Sequence, residues 1–127
     1  MSGKLTGSAP ILVVNDVKIS AEYYRDKLGF TITNVFGTPA YFAIIQRDNL
    51  SMMFAKAPRD KIVPNWKIVE KTSNVYFWVN NIDELYEEFI DNGADIDYEL
   101  YTTPYGIREF GINDPDDYDI AFGEIIK

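Results

Sequence analysis

The sequence repeats one order of structural elements after about half its length. A shift of about 65 residues aligns residues 14–17 with residues 79–82, and Tyr24 with Phe89. In each half, an apolar strand precedes a helix and three further strands follow it. Because one such unit is too small to bury a face of its own sheet, the two units are expected to pack together. The repeat therefore predicts an α+β fold of two tandem βαβββ modules, whose curved mixed sheets form a ligand-binding cup.

The first module is predicted over residues 9–55. Its helix has apolar residues at helical spacing between Asp16 and Gly29, which are suited to begin and to end a helix. The predicted elements are, in order, a strand at residues 9–15, a helix at 17–28, and strands at 30–36, 41–46 and 50–55. Residues 56–72 hold prolines and charges without a clear period, so they are predicted to form a connecting loop anchored by Trp66.

The second module is predicted over residues 73–127 with the same order of elements. Asn81 is followed by Glu84 at the spacing of a capping box, which indicates the start of a helix. The predicted elements are a strand at residues 74–79, a helix from 82 to Gly93, and strands at 96–101, 107–112 and 119–125. A chain of 127 residues has no room for a second full domain, so residues 1–127 are expected to form a single domain.

Three segments resemble the glyoxalase/bleomycin resistance/dioxygenase superfamily, also called the vicinal oxygen chelate proteins. They are residues 16–30 (DVKISAEYYRDKLGF), residues 74–93 and residues 104–117 (PYGIREFGINDPDD). The last of them resembles the final hairpin of the subgroup named for bleomycin resistance. Together with the repeat, the resemblance covers nearly the whole chain and implies the vicinal oxygen chelate fold.

Enzymes of this superfamily typically hold a divalent metal on four inward-facing side chains, mostly His and Glu. The resemblance carries those positions onto Ala9, Met53, Asn74 and Ala121. Alanine and methionine supply no hard donor, one carboxamide cannot hold a divalent cation against water, and the chain contains no histidine or cysteine. We therefore expect neither the metal nor another cofactor, and we expect binding rather than catalysis.

The resemblance to the bleomycin-resistance subgroup implies a metal-independent homodimer that sequesters a cationic aromatic antibiotic in grooves at the subunit interface. The formal charge of -8 is compatible with a cationic small-molecule ligand and disfavours a nucleic-acid partner. Two alternatives stay open. One is an enzyme on the same fold, a lyase, isomerase or dioxygenase acting on a small oxygenated substrate, and the other is a dimer that has lost ligand binding.

The sequence gives no indication of a membrane partner. No stretch approaches the roughly 20 apolar residues of a membrane helix, and the first residues lack the pattern of a signal peptide. We therefore expect a cytoplasmic protein.

Side chains with the same strand parity as the vacant metal positions are expected to face the cup. By this rule Ser51, Asp119 and Gly123 face it. Ile11 and Val13 share the parity, but ordinary packing of a sheet against a helix is the expectation for them. The candidate ligand-binding residues are Phe42, Met53, Trp66, Asn74, Tyr76, Trp78, Tyr101, Tyr105, Glu109 and Phe110.

Charged side chains occur at residues 108–109 and in the aspartate-rich segment 114–119. Glu109 is a candidate counter-ion or general base, and Arg108 beside it is expected to point to the opposite face of its strand. The aspartates of residues 114–119 recur almost at alternate positions, as in a calcium loop, but that segment lacks the central glycine and the distal glutamate. With Pro115 at its second position, the segment predicts a turn.

Overall fold

Each half of the chain forms one four-stranded mixed sheet and one long helix, as the repeat predicts. The computed structural model describes residues 2–58 and 61–126. Its elements are β1 (Ile11–Val14), α1 (Val17–Leu28), β2 (Thr31–Phe36), β3 (Phe42–Arg47), β4 (Leu50–Lys56), a 3-10 turn (Asn65–Lys67), β5 (Val75–Trp78), α2 (Ile82–Asp91), β6 (Ile96–Thr102), β7 (Ile107–Asn113) and β8 (Asp119–Ile125).

The two sheets have the same topology. Their strand orders are β1-β4-β3-β2 and β5-β8-β7-β6, so the first strand of each module lies at one edge and the second at the other. In each sheet the first strand runs parallel to the last, and the remaining pairs are antiparallel. A parallel pair requires a crossover connection, which the helix begins. The prediction of two βαβββ modules is confirmed.

One hydrophobic core runs through both modules. Tyr24 and Phe54 of the first module and Phe89, Phe110 and Phe122 of the second belong to the same buried cluster. Each sheet turns one face towards this core and its helix, and the other face, here called the open face, points away from them. In the described residues, no helix is long and apolar enough to cross a lipid bilayer.

The two helices begin in different ways. Asp16 is extended, and its side chain accepts a hydrogen bond of 3.0 Å from the N–H of Ile19, as an N-cap residue does. At the other end of α1, Gly29 has the left-handed conformation, with a φ of 73°. Both ends of α1 therefore follow the sequence prediction.

The predicted capping box at Asn81 is wrong. Asn81 has a left-handed backbone (φ 59°, ψ 55°), and its side chain makes no capping hydrogen bond. Glu124 of β8 takes that role, since its carboxylate accepts from the N–H groups of Asn81 and Ile82 at 3.2 and 3.0 Å. A carboxylate at a helix N-terminus also interacts favourably with the helix dipole. The start of α2 is therefore fixed by a distant strand.

The aspartate-rich segment forms a turn that ties the second module to the first. Asp114 accepts a hydrogen bond from the Tyr24 hydroxyl at 2.8 Å, and Asp116 accepts two from Asn15. The Tyr118 hydroxyl donates to the carbonyl of Val13 at 2.6 Å. Burial raises the pKa of Asp114 to about 6, although its hydrogen bonds oppose the shift. These side chains hold the two modules together at their common edge.

Candidate functional site

The open face of the first sheet exposes large apolar side chains. On β1, Ile11 and Val13 are 58% and 41% exposed, whereas Leu12 and Val14 belong to the core. The expectation that Ile11 and Val13 pack against a helix is wrong, because their even-numbered neighbours take that side of the strand.

Met53 and Phe42 lie on the same apolar face. Met53 is paired with Ile11 on one side and with Ile44 on the other, and all three side chains keep some exposure. The Phe42 ring lies 6.1 Å from that of Phe36, centroid to centroid. The first open face therefore offers apolar and aromatic contacts.

The open face of the second sheet is aromatic and polar. Tyr76 and Trp78 of β5 are 37% and 59% exposed, with ring centroids 5.0 Å apart, while Phe77 between them packs against Phe122 in the core. The structure thus places Tyr76 and Trp78 on the face that strand parity predicts.

Glu109 lies at the centre of this face, between two tyrosines. Its two carboxylate oxygens each accept one phenol hydrogen bond, Oε1 from Tyr76 and Oε2 from Tyr98, both at 3.0 Å. Tyr98 is not among the residues predicted from sequence. Strand parity could not have indicated it, because β6 shifts register against β7 on both sides of this residue and breaks the alternation of faces there. We call Tyr76, Glu109 and Tyr98 the Tyr–Glu–Tyr cluster.

Two glycines make room for the rings of this cluster. A Cβ atom at Gly123 would overlap the Tyr76 side chain, and a Cβ atom at Gly111 would overlap the Tyr98 ring. Each ring therefore lies directly over the backbone of a neighbouring strand.

The phenols of the cluster are weak acids. Burial raises the pKa of Tyr76, and its hydrogen bond to Glu109 and the charge of that carboxylate raise it further. Burial and then Glu109 raise the pKa of Tyr98 in the same way. Both hydroxyls therefore stay protonated near neutral pH and act as hydrogen-bond donors.

Asp119 adds a second carboxyl group beside the cluster. It is 7% exposed, and its Oδ1 has no hydrogen-bond partner in the described structure. That oxygen lies 3.1 Å from the position that a Cβ atom of Gly111 would take. Burial, a hydrogen bond with Asp97 of β6, and the charges of Asp97 and Glu109 raise the pKa of Asp119 to about 8.

These carboxyl groups have no cationic partner from the described residues. The salt bridges found there join other side chains, and none reaches Asp97, Glu109 or Asp119. Arg108, next to Glu109, points to the helix side and binds Asp83 of α2 at 2.9 Å. The second open face therefore combines negative charge with exposed aromatic rings.

Tyr101 and Tyr105 lie near the same face. The Tyr101 ring is 6.2 Å from that of Tyr98, and Tyr101 is paired with Glu109 across β6 and β7. Tyr105 is 72% exposed in the turn between these strands. Both side chains are exposed beside the second open face.

Phe110 does not lie on the open face. It is fully buried, with ring centroids 5.8 Å from Phe89 and 5.1 Å from Phe122. The prediction that Phe110 lines the site is wrong, because residues that follow one another in a strand point to opposite faces and Glu109 takes the open one.

The side chains of Asn74 and Trp66 form hydrogen bonds with loop residues. The Asn74 side-chain oxygen accepts a hydrogen bond of 2.8 Å from the N–H of Asn65, and the Trp66 indole donates to the carbonyl of Asp117 at 2.6 Å. Their polar atoms therefore hold the connecting loop against the second module.

The positions that carry the metal in superfamily enzymes contain no convergent ligands. Ala121 is buried between Tyr76 and Gly111 in the sheet, and Met53 lies on the apolar face. Over residues 2–58 and 61–126, no group of three or more His, Cys, Asp or Glu side chains is arranged to hold a metal ion. The residues present do not fit the metal centre of the superfamily.

A crevice of about 540 Å³ lies between the two modules beside Trp78. Phe30, Phe77 and Leu50 contribute apolar walls. Arg47, also in its lining, binds the Glu88 carboxylate through two nitrogens at 2.7 and 3.0 Å. This crevice continues the aromatic surface from Trp78 towards the core.

Comparison with known proteins identifies the family and the fold. The model of the Glyoxalase/Bleomycin resistance protein/Dioxygenase superfamily matches residues 7–122. TioX from Micromonospora sp. ML1 is a similar solved structure, with 18% identity, a TM-score of 0.77, and coverage of 95% of this chain and 99% of that chain. No curated protein matches the chain.

Two further solved structures are similar over nearly their whole length. TnmS3, an antibiotic binding protein from Streptomyces sp. CB03234, is 13% identical, with a TM-score of 0.74 and coverage of 98% of this chain and 99% of that chain. A bleomycin-binding protein from Streptomyces verticillus, in complex with copper(II)-bleomycin, is 23% identical, with a TM-score of 0.69 and coverage of 99% of both chains. At these identities the likeness shows the fold.

Proposed function

Because the chain belongs to the glyoxalase/bleomycin resistance protein/dioxygenase superfamily, we propose that it is a metal-independent binding protein for a cationic aromatic small molecule. The observation that carries this proposal is the second open face, where Glu109 lies among Tyr76, Trp78 and Tyr98 without a cationic partner from the described residues. Aromatic rings attract both planar ligands and cations. The net charge of -8 adds a long-range attraction for a cation. TnmS3 and the bleomycin-binding protein provide examples of antibiotic binding on this fold.

The protein functions as a homodimer in this proposal. Ile11 and Val13 expose apolar surface on the edge strand β1, and Trp78 does so on the edge strand β5. A twofold arrangement that sets the first open face of one protomer against the second open face of its partner covers these side chains. It also creates two equivalent grooves, each with one apolar wall and one aromatic, anionic wall.

The chemistry of the second open face favours binding over catalysis. A general base must be deprotonated near neutral pH so that it can accept a proton from the substrate, whereas the raised pKa values of Tyr76 and Tyr98 keep both phenols protonated. Both oxygens of Glu109 already accept hydrogen bonds from these phenols. The cluster is therefore better suited to hold a positive charge than to move a proton from a substrate.

Tryptophan fluorescence tests the proposed ligand class. The chain has two tryptophans, so the Trp66→Phe variant emits from Trp78 alone and the Trp78→Phe variant from Trp66 alone. We expect metal-free bleomycin, or a smaller cationic aromatic compound, to quench Trp78 with a dissociation constant below about 1 mM. Trp66 should change little, because its indole is bound to Asp117.

Glu109→Gln provides the matched test of charge. It keeps the size of the side chain and removes the negative charge, so we expect about tenfold weaker binding of the cation. A neutral aromatic compound of similar size should bind both proteins equally. Absence of saturable quenching and of calorimetric heat with every cationic compound would refute the proposed function.

A further inference from the structure

A hydrogen bond links the carboxyl groups of Asp97 and Asp119 across β7. β7 lies between β6, which carries Asp97, and β8, which carries Asp119. At the crossing point β7 has Gly111, so no side chain of β7 stands between the two neighbouring strands. The missing Cβ atom therefore lets the Asp119 carboxyl lie over the middle strand and approach Asp97.

Building on the proposed function, we propose that an organic cation bound on the second open face expels one proton that Asp119 shares with Asp97. Asp119 is buried, with 7% exposure, and its Oδ1 has no hydrogen-bond partner among the described residues. No described group donates a hydrogen bond to that oxygen, and burial limits its contact with solvent, so a carboxylate there has little to stabilise its charge. The neutral acid, with its proton directed at Asp97, is the stable form of the empty site.

The charged groups that face Asp119 are carboxyl groups, and they disfavour its ionisation. Asp97 faces it from β6 and Glu109 from β7. The neighbouring phenols of Tyr98 and Tyr76 are neutral and bound to Glu109. Within residues 2–58 and 61–126, no lysine or arginine forms a salt bridge with these carboxyl groups. These neighbours and burial hold the proton up to a pH of about 8, which is the raised pKa of Asp119.

A cation over the Tyr–Glu–Tyr cluster reverses this balance. The ligand brings the positive charge that the site lacks, so the ionised form of Asp119 is favoured in the complex. The O–H bond of the Asp119 acid breaks, its electron pair stays on the carboxylate, and the proton passes to buffer. By linkage, the affinity for the cation rises with pH until the free site is itself ionised, above about pH 8, and is constant beyond that.

The chemistry of the site favours an organic cation over a metal ion. Both oxygens of Glu109 are occupied by phenol hydrogen bonds, and the described carboxyl groups do not converge as metal ligands. Aromatic rings surround the cluster, and they attract diffuse cations such as substituted ammonium groups. The ligand class that fits is an ammonium ion with an attached aromatic group.

Calorimetry with benzyltrimethylammonium tests the proton release. This probe keeps its charge at every pH, so any pH dependence belongs to the protein. The binding heats in phosphate and in Tris differ by the number of protons released multiplied by the difference between the ionisation enthalpies of the two buffers. We expect about half a proton per cation near pH 7.5. The affinity should rise about three- to tenfold between about pH 6.5 and about pH 8.5.

Substitutions at the carboxyl pair identify the source of the proton. In Asp119→Asn we expect no proton release and an affinity that is independent of pH over the same range. Asp97→Asn changes an exposed residue and supplies an amide donor to Asp119, so release near neutral pH should fall in this variant too. Glu87→Gln, an equal change of charge at an exposed position of α2, should behave like the wild type.

The results of these titrations distinguish the proton linkage from the proposed function. Binding of the probe without proton release, or release in Asp119→Asn equal to that of the wild type, overturns the proton linkage and leaves the proposed function intact. Absence of binding by benzyltrimethylammonium overturns the linkage as well, while the fluorescence titrations with bleomycin decide the proposed function separately. Near-ultraviolet circular dichroism shows whether each variant keeps the native packing.

Discussion

Gly111 and Gly123 lie at positions that have no room for a side chain, because aromatic rings occupy the space that a Cβ atom would fill. Neither glycine is among those with a positive φ, so backbone conformation does not account for them. Tyr76 over Gly123 and Tyr98 over Gly111 thereby bring both hydroxyls onto Glu109. At this scale the geometry of the Tyr–Glu–Tyr cluster depends on the two glycines beneath its rings.

We expect Gly123→Ala to destabilise the protein by about 1 to 3 kcal/mol, because the added methyl group displaces the Tyr76 ring. The free energy of unfolding in urea measures this effect. Gly7→Ala is the matched control, since nothing lies within 4 Å of that position. In the double variant with Tyr76→Ala, most of the added cost of Gly123→Ala should disappear. An equal cost in the presence and absence of the Tyr76 ring would show that the overlap is not its cause.

Strand parity correctly predicted which face of the sheet several candidate residues occupy. It set Tyr76 and Trp78 on the open face, and it put Glu109 and Arg108 on opposite sides. The rule was set aside for Ile11 and Val13, and the structure shows that it holds there too. Parity assumes a regular strand, however, and could not have placed Tyr98, because the register of β6 shifts there.

At the scale of elements, the two helices differ in whether the residue that caps the N-terminus is close to the helix in sequence. The N-cap of α1 is the adjacent residue, Asp16, and the preference of aspartate for this position can be recognised in the sequence. The carboxylate that caps α2 belongs to Glu124, which lies 42 residues from Ile82 in the chain. No local pattern could indicate that contact, although the sequence does predict both helices.

We expect Glu124→Ala to destabilise the protein by about 1 kcal/mol, because the first N–H groups of α2 lose their acceptor. Asn81→Gly should be neutral or slightly stabilising, since glycine adopts the left-handed conformation of residue 81 without strain. Urea denaturation measures both changes, with Asp16→Ala as a reference for an ordinary N-cap. A larger loss in Asn81→Gly than in Glu124→Ala would mean that Asn81 is the true cap.

At the scale of the whole molecule, the two sheets leave unlike surfaces uncovered. One is apolar around Ile11 and Met53, and the other is aromatic and anionic around Glu109. The repeat predicts two equal modules but not this difference, because it arises from side chains on the open faces. Opposed faces of two protomers would combine the properties in each groove.

We expect Ile11→Lys to convert the proposed dimer to monomer, because it places a charge in the apolar contact between edge strands. Sedimentation velocity measures the change in mass. Ile19→Lys is the matched control, since Ile19 is similarly exposed, at 54%, but lies on α1. A wild-type protein that sediments as a monomer at all concentrations would refute the dimer.

The turn that joins the modules also sets an order of events during synthesis. Tyr24 reaches its partner Asp114 across 90 residues of sequence, and Asn15 reaches Asp116 across 101. At ribosomal elongation rates, that separation corresponds to roughly 5 to 20 s between the appearance of the tyrosine and that of its acceptor. Until residue 114 has been made, the Tyr24 hydroxyl lacks its acceptor, so the first module cannot complete its native contacts before most of the second has been synthesised.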